Sequence, residues 1–314
     1  MRTRKQKQRQ SIPPELRYTV SDFNLEFLDD DSCLEYIKEQ RWPDGIAPCA
    51  KCKQDRKHHR VSGRTAYACG YCGTHIYPLA GTIFEKSTTS LRHWFYAMYL
   101  MGSTRCGISA KQIQRETGVT YKTAWRMFRQ IRLLLSEDGL QLEGPTVEMD
   151  ETYIGGVRKY GTGRPMVGDR KKTAVAAIVE RQGRVVAKAV KDVKGSTLLG
   201  MVRANVVPNS TIYTDELNSY DGIKVIRTRD GEPARYRHRT IKHSAGVYVR
   251  GDIHTNTIEG FWSLVKRGMG GVYHSVGKKY LQSYLNEYAF RYNRRDQGNL
   301  IFKQILEQVS RRAS

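Results

Sequence analysis

The stretch Thr146-Val-Glu-Met-Asp150-Glu-Thr-Tyr-Ile154 predicts a β-strand, because β-branched and aromatic residues dominate it and glycines follow it. Two further apolar runs, at 173–179 and 184–190, are separated by a glutamine and a glycine and predict a hairpin. A helix is predicted over 196–206. A fourth strand follows at 211–215. The sequence therefore predicts an α/β domain that begins with a strand and a hairpin.

Acidic residues recur at three points of this order. Asp150 lies in the middle of the first strand, Asp215 ends the fourth, and Glu259 follows on a later helix. This is the pattern of a ribonuclease H-like α/β fold, in which the first and fourth strands are neighbours and the helix closes over them. Three carboxylates around one point repel one another unless divalent cations neutralise them. We therefore expect Mg²⁺ or Mn²⁺, two ions in all, and metal-dependent phosphoryl transfer on nucleic acid.

The two strand acids each leave an alternative open. Glu148 or Glu151, on the same strand as Asp150, is the alternative metal ligand. Asp215 is also placed to cap the next helix, in which case Glu216 is the alternative ligand.

The third acid belongs to the stretch 254–267, in which Thr255 or Asn256 is predicted to cap a helix. On that helix Lys266 lies seven residues after Glu259, which returns it to nearly the same face. Taken alone, this pattern also fits a solvated amphipathic face. Lys266 is predicted either to contact a DNA phosphate or to be an ordinary basic surface residue.

Four cysteines form the strongest local pattern in the chain. Cys49-x2-Cys52 and Cys69-x2-Cys72 are separated by sixteen residues. Two such hairpins place four thiolates around a tetrahedral Zn²⁺ ion, whereas a thiol-redox site needs only one of them. The sequence predicts a zinc ribbon with one structural zinc ion.

A helix, a glycine-containing turn and a second helix are predicted over 108–134. This is the plan of the helix-turn-helix motif, whose second helix enters the major groove, and plain helical hairpins share it. Lys122, Thr123 and Arg126 lie near the start of the second helix and are predicted to contact DNA.

The chain is strongly basic, with 53 Lys and Arg against 31 Asp and Glu, a formal net charge of +22. Such a charge favours a polyanionic partner, nucleic acid first. No segment is long and apolar enough to span a membrane, and no secretory signal is recognised. We therefore expect a cytoplasmic protein with double-stranded DNA as its partner. The other predicted DNA-contact residues are Arg158, Lys159, Arg164, Lys171, Arg237, Arg239, Lys266 and Arg267.

The predicted organisation has four parts. Residues 1–20 form a basic disordered arm, and 21–84 a helical lead-in and the zinc ribbon. Residues 85–140 form the helical, helix-turn-helix region, and 141–314 the ribonuclease H-like domain with a carboxyl-terminal helix.

Taken together, these motifs resemble bacterial insertion-sequence transposases in which a zinc ribbon precedes a DDE domain, relatives of the Merlin transposases. The residues that carry the resemblance are the four cysteines, Gly81-Thr-Ile-Phe84, Lys122-Thr-Ala-Trp125, Val147-Glu-Met-Asp150-Glu-Thr-Tyr-Ile-Gly155-Gly156, Tyr213-Thr-Asp215, His254-Thr-Asn-Thr-Ile-Glu259-Gly-Phe-Trp262 and Phe290-Arg-Tyr-Asn293-Arg294. The resemblance implies that Asp150, Asp215 and Glu259 are the catalytic, metal-binding triad. It also implies that Lys266 is the basic residue two turns after the last acid.

The resemblance implies a DNA transposase that binds terminal inverted repeats and transfers a strand into target DNA, as a homodimer or a larger assembly on DNA. Two other hypotheses stay open. One is a DNA-binding regulator whose carboxyl-terminal half is a scaffold, and the other is a nuclease that cleaves without joining.

Overall fold

A computed structural model of the chain describes residues 13–104, 106–155, 172–241 and 254–311. The chain divides into two compact units. The first comprises Met1–Arg105, Ala110–Leu134 and Arg294–Ser314, and the second comprises Cys106–Ser109 and Leu135–Asn293.

The helices of the described residues, in chain order, are α1 (Val20–Glu26), α2 (Asp30–Arg41), α3 (Leu91–Ser103), α4 (Ala110–Thr117), α5 (Tyr121–Leu134), α6 (Gly195–Asn205), α7 (Asn256–Gly271), α8 (Leu281–Asn293) and α9 (Ile301–Arg311). The strands are β1 (Ile46–Cys49), β2 (Gln54–Arg60), β3 (Tyr67–Cys69), β4 (His75–Ile76), β5 (Thr146–Ile154), β6 (Thr173–Glu180), β7 (Val185–Ala189), β8 (Thr211–Thr214) and β9 (Arg237–Thr240).

The first unit is built around an aromatic cluster. The ring of Phe302, on α9, lies 5.7 Å from that of Phe23 and 5.9 Å from that of Phe27, and all three side chains are buried. Burying three phenylalanines supplies several kilocalories per mole of hydrophobic stabilisation, about 2 each. The carboxyl-terminal segment is therefore part of the first unit, which corrects the single domain predicted for 141–314.

Tyr18 extends this cluster toward the amino terminus. Its ring lies 5.4 Å from that of Phe302, and its hydroxyl donates a 2.7 Å hydrogen bond to Glu26. The disordered arm predicted for residues 1–20 must therefore end before Tyr18, because this side chain is buried and only 7% exposed.

The second unit contains a five-stranded sheet with the order β7-β6-β5-β8-β9. The pairs β5–β6 and β6–β7 are antiparallel, whereas β5–β8 and β8–β9 are parallel. The predicted ribonuclease H-like α/β fold is confirmed by this order. β5 is the central strand, and it pairs with β8 only from Thr146↔Thr211 to Glu148↔Tyr213. Residues after Glu148 on β5 therefore emerge beyond the end of that pairing.

Both faces of the sheet are covered, which explains why β6 is buried along its whole length and apolar from Ala174 to Val179. On one face Val147 and Met149 of β5 pack with residues of α6. On the other face Ile154 of β5 packs with residues of α7 and α8. Consecutive residues of β5 alternate between these two layers. Among the described residues, none of the helices has both the length and the apolar composition needed to cross a bilayer.

Candidate functional site

The carboxylates of Asp150, Glu151 and Asp215 meet at the carboxyl ends of β5 and β8. One oxygen from each lies within 4.8 Å of the corresponding oxygens of the other two. Asp150 and Glu151 belong to β5, and Asp215 directly follows β8. Because these two strands are parallel neighbours, residues 65 positions apart in the sequence meet at one edge. Glu151, the predicted alternative to Asp150, lies beside it instead of replacing it.

Burial and mutual repulsion make these acids difficult to ionise. Burial, then the neighbouring Glu151 and Asp215, raise the pKa of Asp150 to about 7, and Lys266 opposes the shift. Burial also raises the pKa of Glu151, although the Tyr220 hydroxyl donates a hydrogen bond to it. A divalent cation would relieve this repulsion, and carboxylate oxygens are the ligands that Mg²⁺ and Mn²⁺ take. The donor set therefore fits such an ion.

Helix α7 forms one wall of an adjoining cavity of about 500 Å³. The cavity is lined by Asp150, Glu259, Trp262, Ser263, Lys266 and Arg267. The five helical residues are three or four positions apart, or directly adjacent, so that they share one face of α7. Glu259 is not one of the described acids whose carboxylate oxygens all lie within 4.8 Å of one another. Its Oε1 accepts a 3.1 Å hydrogen bond from the hydroxyl of Thr255.

The amino terminus of α7 is capped by Glu148 of β5. Glu148 is fully buried, and its Oε2 accepts hydrogen bonds from the backbone N–H groups of Thr257 at 2.8 Å and Ile258 at 3.1 Å. The side chain of Thr255, at the N-cap, makes no capping hydrogen bond. The predicted local cap at Thr255 or Asn256 is therefore replaced by a residue more than one hundred positions away. Glu148 contacts the helix, not the acidic cluster.

Asp215 is held by the turn that follows it. Its Oδ1 accepts a hydrogen bond from the backbone N–H of Leu217 at 3.1 Å. Leu217 is the N-cap of the 3-10 helix Asn218–Val225, which has no side-chain cap, so the alternative that Asp215 caps this helix is wrong. The neighbouring Thr214 Oγ1 lies 2.9 Å from Nε2 of His238, on β9. Burial lowers the pKa of His238, so the neutral imidazole is favoured here. Glu216, the alternative ligand, is exposed and lies outside the cluster among the described residues.

The second group of ligands is formed by Cys49, Cys52, Cys69 and Cys72, whose sulfur atoms all lie within 4.8 Å of one another. The Sγ atoms are 3.4 Å apart for Cys49 and Cys72, and 3.9 Å for Cys52 and Cys69. Tetrahedral Zn²⁺ with bonds of about 2.3 Å requires sulfurs about 3.8 Å apart, so the donor set fits zinc. None of the four forms a disulfide.

Strands β1 to β4 form a sheet in sequence order that brings the two cysteine pairs together. The hydrogen bonds of Thr74 lower the pKa of Cys72 to about 6, and the backbone N–H of Cys52 lowers that of Cys49. These two effects favour the thiolate, the form that binds metal, whereas the hydrogen bond with Cys72 raises the pKa of Cys52 to about 12.

Comparison with known proteins gives the same two parts. Residues 141–293 match the ISXO2-like transposase domain, and residues 28–75 match the transposase zinc-ribbon domain. An uncharacterized protein in transposable element ISH50 of Halobacterium salinarum is 28% identical over 300 residues, covering 90% of this chain and 97% of that protein. An uncharacterized transposase-like protein of Haemophilus influenzae is 30% identical over 110 residues, covering 35% of this chain and 81% of that protein.

The chain belongs to the insertion-sequence transposases. The resemblance stated from the sequence is thereby confirmed. The acidic cluster and the cavity beside α7 lie within the matched transposase domain, and the four cysteines lie within the matched zinc ribbon.

In the transposase, α4 and α5 are joined by a turn in which Gly118 has a φ of +72°, a conformation that favours glycine. Lys122 is exposed at the start of α5. Thr123 is half-buried, with its backbone N–H bonded to Thr120 Oγ1 at 3.3 Å. Arg126 donates hydrogen bonds to Ser87 and Thr89, both at 3.1 Å. Of the three predicted DNA contacts here, Lys122 is the most available to a ligand.

Several other basic residues predicted to contact DNA are exposed. Arg237 and Arg239 lie two positions apart on β9, the edge strand, and Lys266 and Arg267 line the cavity beside Asp150. The remaining predicted contacts lie outside the described residues, namely Arg158, Lys159, Arg164 and Lys171.

A second cavity, of about 460 Å³, contains basic residues that the sequence analysis missed. Lys172, Lys191 and Lys194 line it together with Tyr153 and Ser219. Because Tyr153 follows Glu151 on β5 and Ser219 precedes Tyr220, this cavity adjoins the residues that hold the acidic cluster. The lysines are scattered through loops, and they carry no sequence pattern that would have marked them.

Proposed function

We propose that this transposase binds the terminal inverted repeats of a mobile element, hydrolyses the phosphodiester at each end, and joins the released 3′-hydroxyl to target DNA. The observation that carries the proposal is the convergence of Asp150 and Asp215 at the end of two parallel strands, beside a cavity lined by Glu259 and Lys266. Each step exchanges one phosphodiester bond for another or hydrolyses one, so no external energy source is required.

We propose Asp150, Asp215 and Glu259 as the residues that hold two Mg²⁺ or Mn²⁺ ions, with Glu151 as a further carboxylate at the same point. When bound, the ions would polarise the phosphodiester and the attacking oxygen. Without metal, the acids of the cluster repel one another and are partly protonated. Bound metal ions would neutralise them. Binding of an ion by Asp150 would therefore release part of a proton at neutral pH, since burial and its neighbours hold the pKa of Asp150 near 7.

The basic residues of the same wall would orient the DNA. Lys266 and Arg267 are exposed on α7 and line the cavity beside Asp150, and we propose that they contact phosphates flanking the reacting one. Arg237 and Arg239 on the edge strand, and the lysine cavity at Lys191 and Lys194, extend the positively charged surface. We propose that the zinc ribbon and α5 bind the inverted repeats, and that two or more chains pair the two ends.

The test is a strand-transfer assay on linear DNA carrying the inverted repeats that flank the coding region, with Mg²⁺ and a supercoiled target. The wild-type chain should yield joined products. Asp150→Asn should lose cleavage and joining by at least about 1,000-fold while binding the repeats with an unchanged Kd. Glu216→Gln is the matched control, because Glu216 is an exposed acid next to Asp215 that lies outside the cluster. It should keep full activity.

The same gel separates the two rival hypotheses. Binding of the repeats without cleavage by the wild-type chain would favour a DNA-binding regulator. Nicks at the repeat ends without joined products would favour a nuclease that does not transfer strands. Either result would remove the transposition proposal for this chain.

The proposed DNA surface has its own test in the salt dependence of binding. Replacing Arg237 and Arg239 by alanine should make the negative slope of log K against log salt shallower by about 2, since each lost phosphate contact removes roughly one unit from its magnitude. Fluorescence anisotropy with a labelled repeat at 50 to 200 mM salt would measure it. An unchanged slope would place the DNA elsewhere.

A further inference from the structure

The buried carboxylate of Glu148 is not used by the acidic cluster. Glu148 lies two residues before Asp150 on β5, so both side chains leave the strand on the face toward α7. It is fully buried, and a buried carboxylate is costly unless donors and opposite charge surround it. The donors around Glu148 therefore indicate which part of the structure it stabilises.

Three of the donors to Glu148 come from the first turn of α7. They are the backbone N–H groups of Thr257 and Ile258, at 2.8 and 3.1 Å, and the hydroxyl of Thr257, at 2.9 Å. The first turn of a helix has unsatisfied N–H groups and a partial positive charge, so a carboxylate there both caps and stabilises it. The local N-cap residue, Thr255, supplies no such hydrogen bond.

Arg181 ties the same carboxylate to two further elements. Its Nε donates to Glu148 Oε1 at 2.9 Å, and its Nη2 donates to the backbone oxygen of His254 at 3.0 Å. The guanidinium also lies over the ring of Tyr213, 4.5 Å from the centroid. Tyr213 is on β8, two residues before Asp215. This network therefore links the strands that carry both aspartates to the segment that leads into α7.

Glu259 lies on the turn of α7 that Glu148 caps. Its backbone N–H donates to the oxygen of Thr255 at 3.1 Å, and its side chain accepts from the Thr255 hydroxyl. Each residue of a helix is rotated by about 100° from the last, so a slip of α7 by one residue would turn Glu259 away from the cavity that it shares with Asp150. The position of this first turn decides whether the third acid faces the other two.

We propose that Glu148 is a positioning residue: it fixes the rotation and depth of α7 against β5 and so holds Glu259 opposite Asp150. The catalytic part of this statement rests on the proposed function, whereas the structural part does not. Glu148 is not a metal ligand in this account.

The first measurement is hydrogen exchange of the full-length chain without DNA. Glu148→Gln removes the charge and turns one acceptor oxygen into a donor facing other donors. It should raise exchange of the Thr257 and Ile258 amides by at least about tenfold. Glu180→Gln is the matched control. Glu180 is a buried acid at the end of β6 that accepts from the backbone N–H groups of Gly144 and Arg184, both of which lie outside α7. It should leave exchange in α7 unchanged.

The second measurement is a double-mutant cycle on single-turnover cleavage at saturating DNA. Glu148→Gln should slow cleavage by about 10- to 100-fold with a Kd for DNA within about twofold, and it should have little further effect in a Glu259→Gln background. A purely structural role would instead lower activity in proportion to the unfolded fraction and would be additive with Glu259→Gln.

If Glu148→Gln does not fold, Thr257→Val takes its place in the exchange measurement, because it removes only one hydrogen bond to Glu148. It should raise exchange of the same amides by several-fold. Unchanged exchange in α7 for either variant, or an additive cycle, would overturn the proposal. A wild-type chain that cleaves no DNA would remove the proposed function, but the exchange data would still decide whether Glu148 holds α7.

Discussion

The two ligand clusters of the transposase differ in how their residues are brought together. The four cysteines lie within 24 positions of one another, and a small four-stranded sheet places them. Asp150 and Asp215 are 65 positions apart, and Glu259 is 44 further on, so a five-stranded sheet and a helix are needed. The four cysteines offer sulfur atoms that surround one point. The acids offer carboxylate oxygens, and Asp150 and Glu259 line a cavity.

This difference assigns different tasks to the two clusters. A closed tetrahedral sulfur site stabilises a small fold that has little core of its own. An open carboxylate site leaves room for phosphate and water. Removing a cysteine should thus abolish folding of the zinc ribbon. Removing an acid of the carboxylate cluster should abolish DNA cleavage without loss of the fold. Four predictions test that contrast.

The largest effect is expected at the oxygen site. Asp215→Asn should lower strand cleavage by at least about 1,000-fold, because one carboxylate of the converging pair is lost. Its melting temperature should stay within about 2 °C of wild type, and its zinc content should be unchanged. Single-turnover cleavage, calorimetry and elemental analysis measure the three quantities. A loss of zinc or of fold would show that the two sites are not independent.

The converse change is Cys69→Ser. It should reduce zinc from one ion per chain to nearly none and unfold the ribbon, since Cys69 is buried at the end of β3 and serine binds zinc poorly. Binding of the inverted repeats should weaken by at least tenfold, while Mn²⁺ binding to the acidic cluster is retained. Cys33→Ser is the control, because Cys33 is buried outside the four-cysteine group. Full zinc content in Cys69→Ser would contradict the assignment.

The third prediction concerns Glu151, which the structure adds to the aspartate pair. Glu151→Gln should weaken Mn²⁺ binding by about tenfold, as followed by paramagnetic resonance, because one charge is removed within 4.8 Å of the other two acids. Glu216→Gln should leave the affinity unchanged. Equal affinities for both variants would limit the cluster to Asp150, Asp215 and Glu259.

The smallest effect is on stability as a function of pH. In the folded chain the pKa of Asp150 is about 7, above the usual value of 3.8, so the folded state holds a proton that the unfolded chain releases between these values. Without metal, the contribution of Asp150 should therefore fall as pH rises from about 4 to 7 and stay low above 7. Asp150→Asn should be more stable than wild type at pH 8, by about 1–2 kcal/mol. Denaturant unfolding in EDTA at pH 5 and pH 8 measures this, and a variant less stable at pH 8 would contradict it.

The sequence predicted most of what depends on local patterns. The cysteine spacing, the helix-turn-helix plan and the order of strands and acids all lie in short stretches, and the ribonuclease H-like sheet followed from them. Contacts between distant residues could not be predicted in this way. Glu148 was considered only as an alternative ligand, because nothing in its stretch shows that it meets Thr257.

The same limit explains the other differences. The helix α9 was assigned to the catalytic domain because it follows it in the chain, whereas Phe302 packs with Phe23 and Phe27 of the first unit. The prediction that Arg126 contacts DNA stays a prediction, and its hydrogen bonds to Ser87 and Thr89 could not be predicted from its stretch because they depend on tertiary folding. The lysines of the second cavity likewise come from two separate loops, Lys172 from one and Lys191 and Lys194 from the other.

The most direct test of the central claim is anomalous diffraction from crystals of the full-length chain soaked in Mn²⁺, with data collected near the manganese and zinc edges. The account predicts a zinc peak among Cys49, Cys52, Cys69 and Cys72, and a separate manganese peak within coordination distance of both Asp150 and Asp215. Manganese bound away from both aspartates, or zinc absent from the four sulfurs, would contradict it.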